Sequence, residues 1–399
     1  MSNHSQPSVS SVLHNVRIVL PAGVIESGSV LLNGGRITRI IEGKRQIIAG
    51  DSIEHDLSGL TLFPGFIDIH IHGAVGVDTM AATADDLRRV SQHLTDCGVT
   101  AWLPTLVPAS REVYGQAIES IGAVMREDEE SDKSGSRILG VHYEGPFVNS
   151  LQCGALHQEY FRTFSGSTDV DALPSLLVHN ASHMMTLAPE VEGGVELVRE
   201  LTKRGWIVSI GHTRAEIEIL DQAYAAGARH MTHFMNAMPP LHHRKPGPVG
   251  WGLSRADVTC DVIADGVHLD PLMLRLLLRM KSPERLALIS DAIAATGAGD
   301  GDYQIWGETI SVTNGRTRNA QGSIAGSVIT MLDAVRMMLS LGVSEVDVAR
   351  MASANPARLL RLDKDCGSIE VAKRADLVGL DRDGKVRLTI VNGSVAFRN

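Results

Sequence analysis

The feature that most constrains this chain is an alternation. Eight short apolar runs recur through its middle, most of them followed by a stretch with helical periodicity. The runs are Leu62–His72, Thr100–Leu106, Ile138–Glu144, His183–Ala188, Ile207–His212, His230–Met235, Thr259–Ala264 and Leu286–Asp291. Helical patterns at Ala84–Cys97, Val191–Arg204 and Arg214–Ala226 follow the first, fourth and fifth runs. Runs of this length without polar alternation suit strands buried on both faces, as in a parallel sheet covered by helices. Eight such units over about 300 residues predict a (β/α)8 TIM-like barrel, in which function sits at the C-terminal strand ends.

The flanks read differently. From Val12 to about Leu60 the text is β-rich, with an Asn33-Gly34-Gly35 turn between strand-like runs. Ala375–Leu380 and Leu388–Phe397 are also β-rich, with a second turn at Asn392-Gly393. Asn-Gly between such runs is a strong hairpin signal. The expected organisation is a small β-sandwich domain built from both termini (12–60 with 363–399) and a barrel over 61–362. Met1–Ser11 is expected to be a polar tail without the basic and apolar regions of a signal peptide.

A net charge of −9 with few aromatics and no basic block argues against a nucleic-acid partner. No apolar run reaches the eighteen or so residues of a membrane span, so no membrane partner is expected and the cytoplasm is the expected compartment. Cys97, Cys153, Cys260 and Cys366 are scattered, with no Cys-x-x-Cys pair, and are expected to be free thiols. Glu127–Asp132 reads as a solvated acidic loop, Met337-Met338 as core packing in a helix beginning near Thr330, and glycine-rich Gly299–Gly307 as a mobile hairpin near the site mouth.

The strand ends carry the chemistry. His70 and His72 are one residue apart at the end of the first run, and residues i and i+2 of a strand share a face. Glu144, His212, His233, Asp265 with His268, and Asp291 end later runs, so six of eight strands finish in a ligand or an acid/base. Buried polar groups at strand ends are destabilising unless they have a partner. Imidazoles with one carboxylate suit zinc or iron and suit calcium or magnesium poorly. Glu144 could bridge two ions, one with His70 and His72 and one with His212 and His233. Catalytic metals keep a place for water and lower its pKa to about 7. Asp291 is placed to take that water's proton and deliver it to a leaving amine. His230, three residues before His233, is expected to be structural, and His242 and His243 to lie in a loop. Asn236, Arg244 and His268 follow strands six and seven; the arginine offers a planar fork for phosphate or carboxylate.

These residues resemble the amidohydrolase superfamily, and within it the N-acetylglucosamine-6-phosphate deacetylases. The similarity is carried by Pro64–Gly73 (PGFIDIHIHG), His142–Phe147 (HYEGPF), Gly211-His212-Thr213 and Thr232–Met238 (THFMNAM). It continues through Leu241–Gly247 (LHHRKPG), Ile263–His268 (IADGVH), Ser290-Asp291-Ala292 and Ala325-Gly326-Ser327. The resemblance implies a barrel with a terminal β-sandwich and hydrolysis of a linear acetamide on an amino sugar phosphate. It implies a principal metal on Glu144, His212 and His233, one or two Zn or Fe ions, Asp291 as general acid/base, and a homodimer. Substrate contacts would come from Ala155, Leu156, His157, Asn236, Ala237, Asp265, His268, Ile324, Ala325 and Gly326, with Arg244 reaching the phosphate from a neighbouring subunit. The chain departs from the family pattern by one extra residue in Cys153-Gly154-Ala155-Leu156-His157 and by Ile324 in place of leucine. Alternatives are the galactose epimer or another N-acyl amino sugar as substrate, a cyclic-amide hydrolase, and an inactive barrel scaffold. The cyclic-amide enzymes commonly use a bridging lysine on strand four, and His183–Ala188 contains none.

Overall fold

The computed structural model of the chain describes residues 11–43, 52–130 and 135–399. Residues 1–10 of the expected tail, and the last part of the acidic run at 131–132, lie outside them.

The barrel strands are Phe66–Ile71, Val99–Leu106, Gly140–Glu144, Ser182–Leu187, Ile207–Ile210, His230–Met231, Thr259–Ile263 and Leu286–Ile289. Successive strands pair in parallel and in sequence order. The ring closes just past the eighth strand. There Asp291 N–H donates to the His70 carbonyl at 2.9 Å, and Ile71 forms a parallel bridge with Ala292. Closure thus places the catalytic candidate Asp291 beside the first-strand histidines through the backbone itself.

Helices cover the outside, and their starts are chemically marked. Thr83 and Asp86 form a capping box at the head of Ala84–Asp96, which buries Leu87, Val90 and Leu94 against the barrel. Thr330 and Asp333 cap Met331–Ser340 in the same way, and Met338 is buried as expected. Asp270 caps Pro271–Met280, with proline at the first helical position.

The terminal strands form one eight-stranded sheet. Leu377–Leu380 runs antiparallel to Thr61–Pro64, which joins the C-terminal strands to the N-terminal ones. Leu13, Val30 and Ile37 from one end and Leu377, Leu388 and Ile390 from the other share a core distinct from the barrel's. Both predicted turns are present, at Gly34-Gly35 and Asn392-Gly393.

Four expectations shift. The first run is split at Gly65, where a Cβ would stand 2.2 Å from the Thr100 side chain. Thr61–Pro64 therefore belongs to the terminal sheet and Phe66–Ile71 to the barrel. The sixth strand is two residues long, because His233, Met235 and Ala237 have φ of 31°, 77° and 49° and cannot continue a ladder. Glu127–Glu130 ends the helix Arg111–Glu130 and is not a loop. The helices after strands four and five start later than expected, at Gly194 and Ile217.

One buried charge cluster ties the two units together. Asp376 of the terminal sheet accepts from Arg137 of the barrel at 3.1 Å, from Arg374 at 3.2 Å, and from Asn392 N–H at 2.8 Å. Burial pushes the Asp376 carboxyl up, but Arg137 and Arg374 outweigh it and hold the group below its usual value. Asp376→Ala leaves two partly buried cations without their counter-charge and should cost about 3–5 kcal/mol in guanidinium unfolding. Because the folded value is depressed, the contribution is complete above the unfolded pKa of about 3.9 and is lost as pH falls through the folded value. Asp376→Asn should therefore flatten the acid limb of stability against pH; an unchanged limb would refute the role.

Candidate metal centre

The five candidate ligands converge at the C-terminal mouth of the barrel, and all are buried. Glu144 is the hub. Its Oε1 lies 2.9 Å from His212 Nε2, 3.0 Å from His233 Nε2 and 3.4 Å from His70 Nε2. Its Oε2 lies 3.3 Å from His72 Nε2. Glu144 therefore completes two three-residue groups, one with His70 and His72 and one with His212 and His233. In each group the donor atoms lie within 4.8 Å of one another.

Asp291 meets the first-strand pair as well, with Oδ1 3.3 Å from both His70 Nε2 and His72 Nε2. Burial raises its carboxyl, but the neighbouring His70 and His72 prevail and hold it below its usual value. Glu144 is likewise raised by burial and held well below its usual range by the imidazoles of His70, His212 and His233. Conversely, burial would lower the imidazoles, yet the two carboxylates push His72 up to about 10 and His233 up to about 9. The pocket thus calls for positive charge where four ring nitrogens point inward. His70 and His72 Nε2 are 3.2 Å apart, and His212 and His233 Nε2 are 3.1 Å apart. A divalent N/O-ligated ion answers both the charge and the donor set.

Backbone geometry aims the ligands. His212, His233 and Asp291 all have left-handed φ, at 46°, 31° and 52°. Such conformations cost of order 1–3 kcal/mol each and persist where the surroundings hold them. At Asp291 the holding groups are visible. Ser327 N–H donates to its carbonyl at 2.7 Å, and Gly326, at φ 55°, leaves room where a Cβ would meet that same oxygen at 3.0 Å. Ser290 Oγ donates to buried Asp68 at 2.5 Å, and burial lifts that carboxyl to about 6.

His233 is held by residues that sequence reasoning passed over. Asp261, fully buried in the seventh strand, accepts the His233 backbone N–H on Oδ1, and its carbonyl accepts Phe234 N–H at 2.9 Å. Its other oxygen meets His230 Nε2 at 2.9 Å, while His230 Nδ1 meets Thr259 at 2.7 Å. His230 is structural as expected, but its structure serves the ligand three residues on. The available signal was a lone aspartate inside Thr259-Cys-Asp-Val-Ile, a charge in an otherwise buried strand. Asp68 in Phe66-Ile-Asp-Ile-His carries the same mark.

The remaining candidates fall into five places. Ile324, Ala325 and Gly326 run beside Asp291, through the Ala292–Ser327 bridge. His268 is gripped by Asp265 through Nδ1 at 2.7 Å, and Asp265 also accepts the N–H groups of Val267 and His268. Asn236 and Ala237 follow His233 directly, with Asn236 N–H donating to the His233 carbonyl at 2.8 Å. Ala155 and Leu156 pack into hydrophobic clusters near the mouth, while His157 pairs with Glu159 at 3.1 Å. Arg244 is exposed on the turn bridged by His242 and Lys245. All four cysteines are free. No helix among the described residues is long and apolar enough to cross a membrane.

A barrel whose strand ends gather four histidines, a shared glutamate and an aspartate defines a metal-dependent hydrolase class. The chain belongs to the amidohydrolase family, whose model matches residues 61–396. It is similar to N-acetylglucosamine-6-phosphate deacetylase of Bacillus subtilis (strain 168), at 35% identity over 97% of each chain. It is also similar to N-acetylgalactosamine-6-phosphate deacetylase of Escherichia coli O157:H7, at 36% identity over 84% of this chain and 87% of the relative. Among solved structures, N-acetylglucosamine-6-phosphate deacetylase of Thermotoga maritima superposes with a TM-score of 0.86 at 33% identity, covering 97% of this chain and all of that one.

Replacing Asp261 with alanine removes the acceptor that fixes His233. Zinc affinity, measured by competition with a chelator, should fall about 10–100-fold, the usual cost of losing an outer partner of a ligand. Asp261→Asn keeps an acceptor for the His233 N–H and should restore most of the affinity. Equal affinity in Asp261→Ala and the unaltered protein would rule the assignment out.

Proposed function

We propose that this protein hydrolyses the acetamide of N-acetylglucosamine 6-phosphate, giving acetate and glucosamine 6-phosphate in amino-sugar catabolism. The observation that carries the reading is Glu144 standing between two histidine pairs, with Asp291 Oδ1 3.3 Å from both histidines of one pair. Glu144, His212 and His233 would hold the principal Zn or Fe ion, and His70 and His72 with Glu144 a second. A bound divalent ion supplies Lewis acidity and an acidified water at neutral pH.

The chain's own groups supply the proton transfers and the positioning. Asp291 is deprotonated at neutral pH and takes the proton of the attacking water. The water oxygen bonds to the carbonyl carbon, the C–N bond breaks, and Asp291 returns the proton to the departing nitrogen. Asp265 fixes His268 through Nδ1, which leaves Nε2 to meet the acetamide or a sugar hydroxyl. Ile324, Ala325 and Gly326, lying against Asp291, form the sugar wall. Asn236 and Ala237, with His157 and the Ala155-Leu156 segment, complete the substrate contacts. Arg244, exposed on its turn, would serve the phosphate of a neighbouring subunit in a homodimer. Phosphorylated sugars are intracellular, which fits a cytoplasmic enzyme. The similarity to the galactosamine-6-phosphate relative supports a second reading in which the C4 epimer is the preferred substrate.

The deciding assay is acetate release from N-acetylglucosamine and N-acetylgalactosamine, each with and without the 6-phosphate, alongside metal analysis of the purified protein. Release from the phosphorylated glucosamine derivative supports the main reading, and no acetate from any of the four sinks it. Asp291→Asn should retain the metal and cut kcat by about 10²–10⁴-fold, the usual share of general acid–base catalysis. Turnover near that of the unaltered enzyme would exclude Asp291 as the proton carrier.

A further inference from the structure

The glycine-rich segment after the eighth strand folds into a small antiparallel sheet of Gly301–Ile305, Glu308–Thr313 and Arg316–Arg318. It is inserted before the helix Met331–Ser340, on the catalytic face. Ile305 pairs with Glu308, which leaves Trp306 and Gly307 as a two-residue tip with φ of 53° and 79°. Both central residues of such a turn need positive φ, and Asn-Gly is the usual filling. A bulky indole in that conformation is uncommon and is sustained by contacts elsewhere.

The contact is with His72. The two rings meet edge to face, with centroids 5.1 Å apart and planes at 80°. Trp306 is the one aromatic residue other than histidine seen in ring contact with the candidate metal ligands, among the described residues. Its position is anchored. Ile305, Ile310 and Val312 of the hairpin share a cluster with Ile293 and Ala325, and Trp306 and Ala155 pack against it. The indole is therefore tied both to the end of the eighth strand and to the loop after Glu144.

Trp306 also lines a cavity of about 710 Å³, bounded by apolar groups such as Val77, Met80 and Val107 and by the charged Asp86, Arg89 and Glu159. None of the five candidate ligands lines that cavity, and neither does Asp291, but the substrate-contact candidate His157 does. Trp306 thus touches both a first-strand histidine of the candidate site and a partly apolar space with room for several methylenes.

We propose that Trp306 sets acyl-chain length: its indole closes the reaction centre against this cavity and confines the scissile amide to an acetyl group. The inference rests on the amide hydrolysis argued above. A longer acyl group would react in the same way, with water adding to the carbonyl carbon and the C–N bond breaking to leave a carboxylate and an amine.

The test compares kcat/KM for the N-acetyl, N-propionyl and N-butyryl derivatives of glucosamine 6-phosphate, read as amine release, in the unaltered enzyme, Trp306→Ala and Trp306→Phe. One methylene in an apolar pocket shifts kcat/KM by about 10–200-fold. The butyryl-to-acetyl ratio should therefore rise at least about 10-fold in Trp306→Ala and less in Trp306→Phe. General damage to the fold or to His72 lowers all three substrates together and leaves the ratio unmoved. If the alanine variant does not fold, the phenylalanine variant must still raise the ratio above that of the unaltered enzyme. An unchanged ratio in the folded variants overturns the proposal, as does an unaltered enzyme that cleaves butyryl as readily as acetyl. An unaltered enzyme inactive on all three overturns the underlying deacetylase reading and this inference with it.

Discussion

The constraint on which the site depends is a single buried carboxylate shared among four imidazoles. Glu144 is 4% exposed, and a carboxylate so placed would ordinarily be driven toward its neutral form. The imidazoles reverse that tendency, and the carboxylate in turn raises two of them. Each group is tolerable only because of the others. Such a set is destabilising as an apolar core and stable as the lining of a cation site, because a divalent ion adds the positive charge that the buried ring nitrogens otherwise take up as protons. Closure of the barrel brings Asp291 to within 3.3 Å of His70 and His72, so the candidate proton acceptor and the candidate ligands are set side by side by the backbone contacts that close the ring just past the eighth strand.

Three of the metal-site candidates, His212, His233 and Asp291, sit in left-handed backbone conformations, and neighbouring segments hold His233 and Asp291 there. Asp261 grips His233 from the next strand, while Ser327 and Gly326 brace Asp291. Asp261 and Ser327 are themselves buried and hydrogen-bonded. Side chains in a site of this kind must stay within about 0.5 Å of a productive arrangement, which loops alone rarely achieve. The polar residues inside this barrel are accordingly part of the site's framework.

The candidate cluster was legible in the sequence because strand periodicity and barrel geometry are both regular. Alternation in His70-Ile71-His72 fixes a shared face, and the rule that chemistry lies at C-terminal strand ends then picks out Glu144, His212, His233 and Asp291. What was not legible follows from departures from that regularity. His230–Met235 reads as a strand by composition, but the left-handed turn at His233 is held by Asp261, some thirty positions away in sequence. The split at Gly65 depends on the close approach of Thr100. Contacts of this range leave no local pattern. Asp261 and Asp68 were visible as charges inside apolar strands, yet their partners were not.

The same distinction separates chemistry from selectivity. Barrel strands can converge ligands because each strand's end is fixed by pairing on both sides. The elements proposed to face the substrate are attached differently: Arg244 on an exposed turn, His268 on a loop held by Asp265, and Trp306 at the tip of an inserted hairpin. Their local sequences specify a turn or a cap, and each position relative to the metal cluster is set by packing between distant segments. Trp306 shows this most clearly. Its turn chemistry would be better served by asparagine, so local preference and tertiary contact disagree at that residue. Such disagreements are retained where the contact does something the local structure cannot, and here the contact is with a ring of the reaction centre.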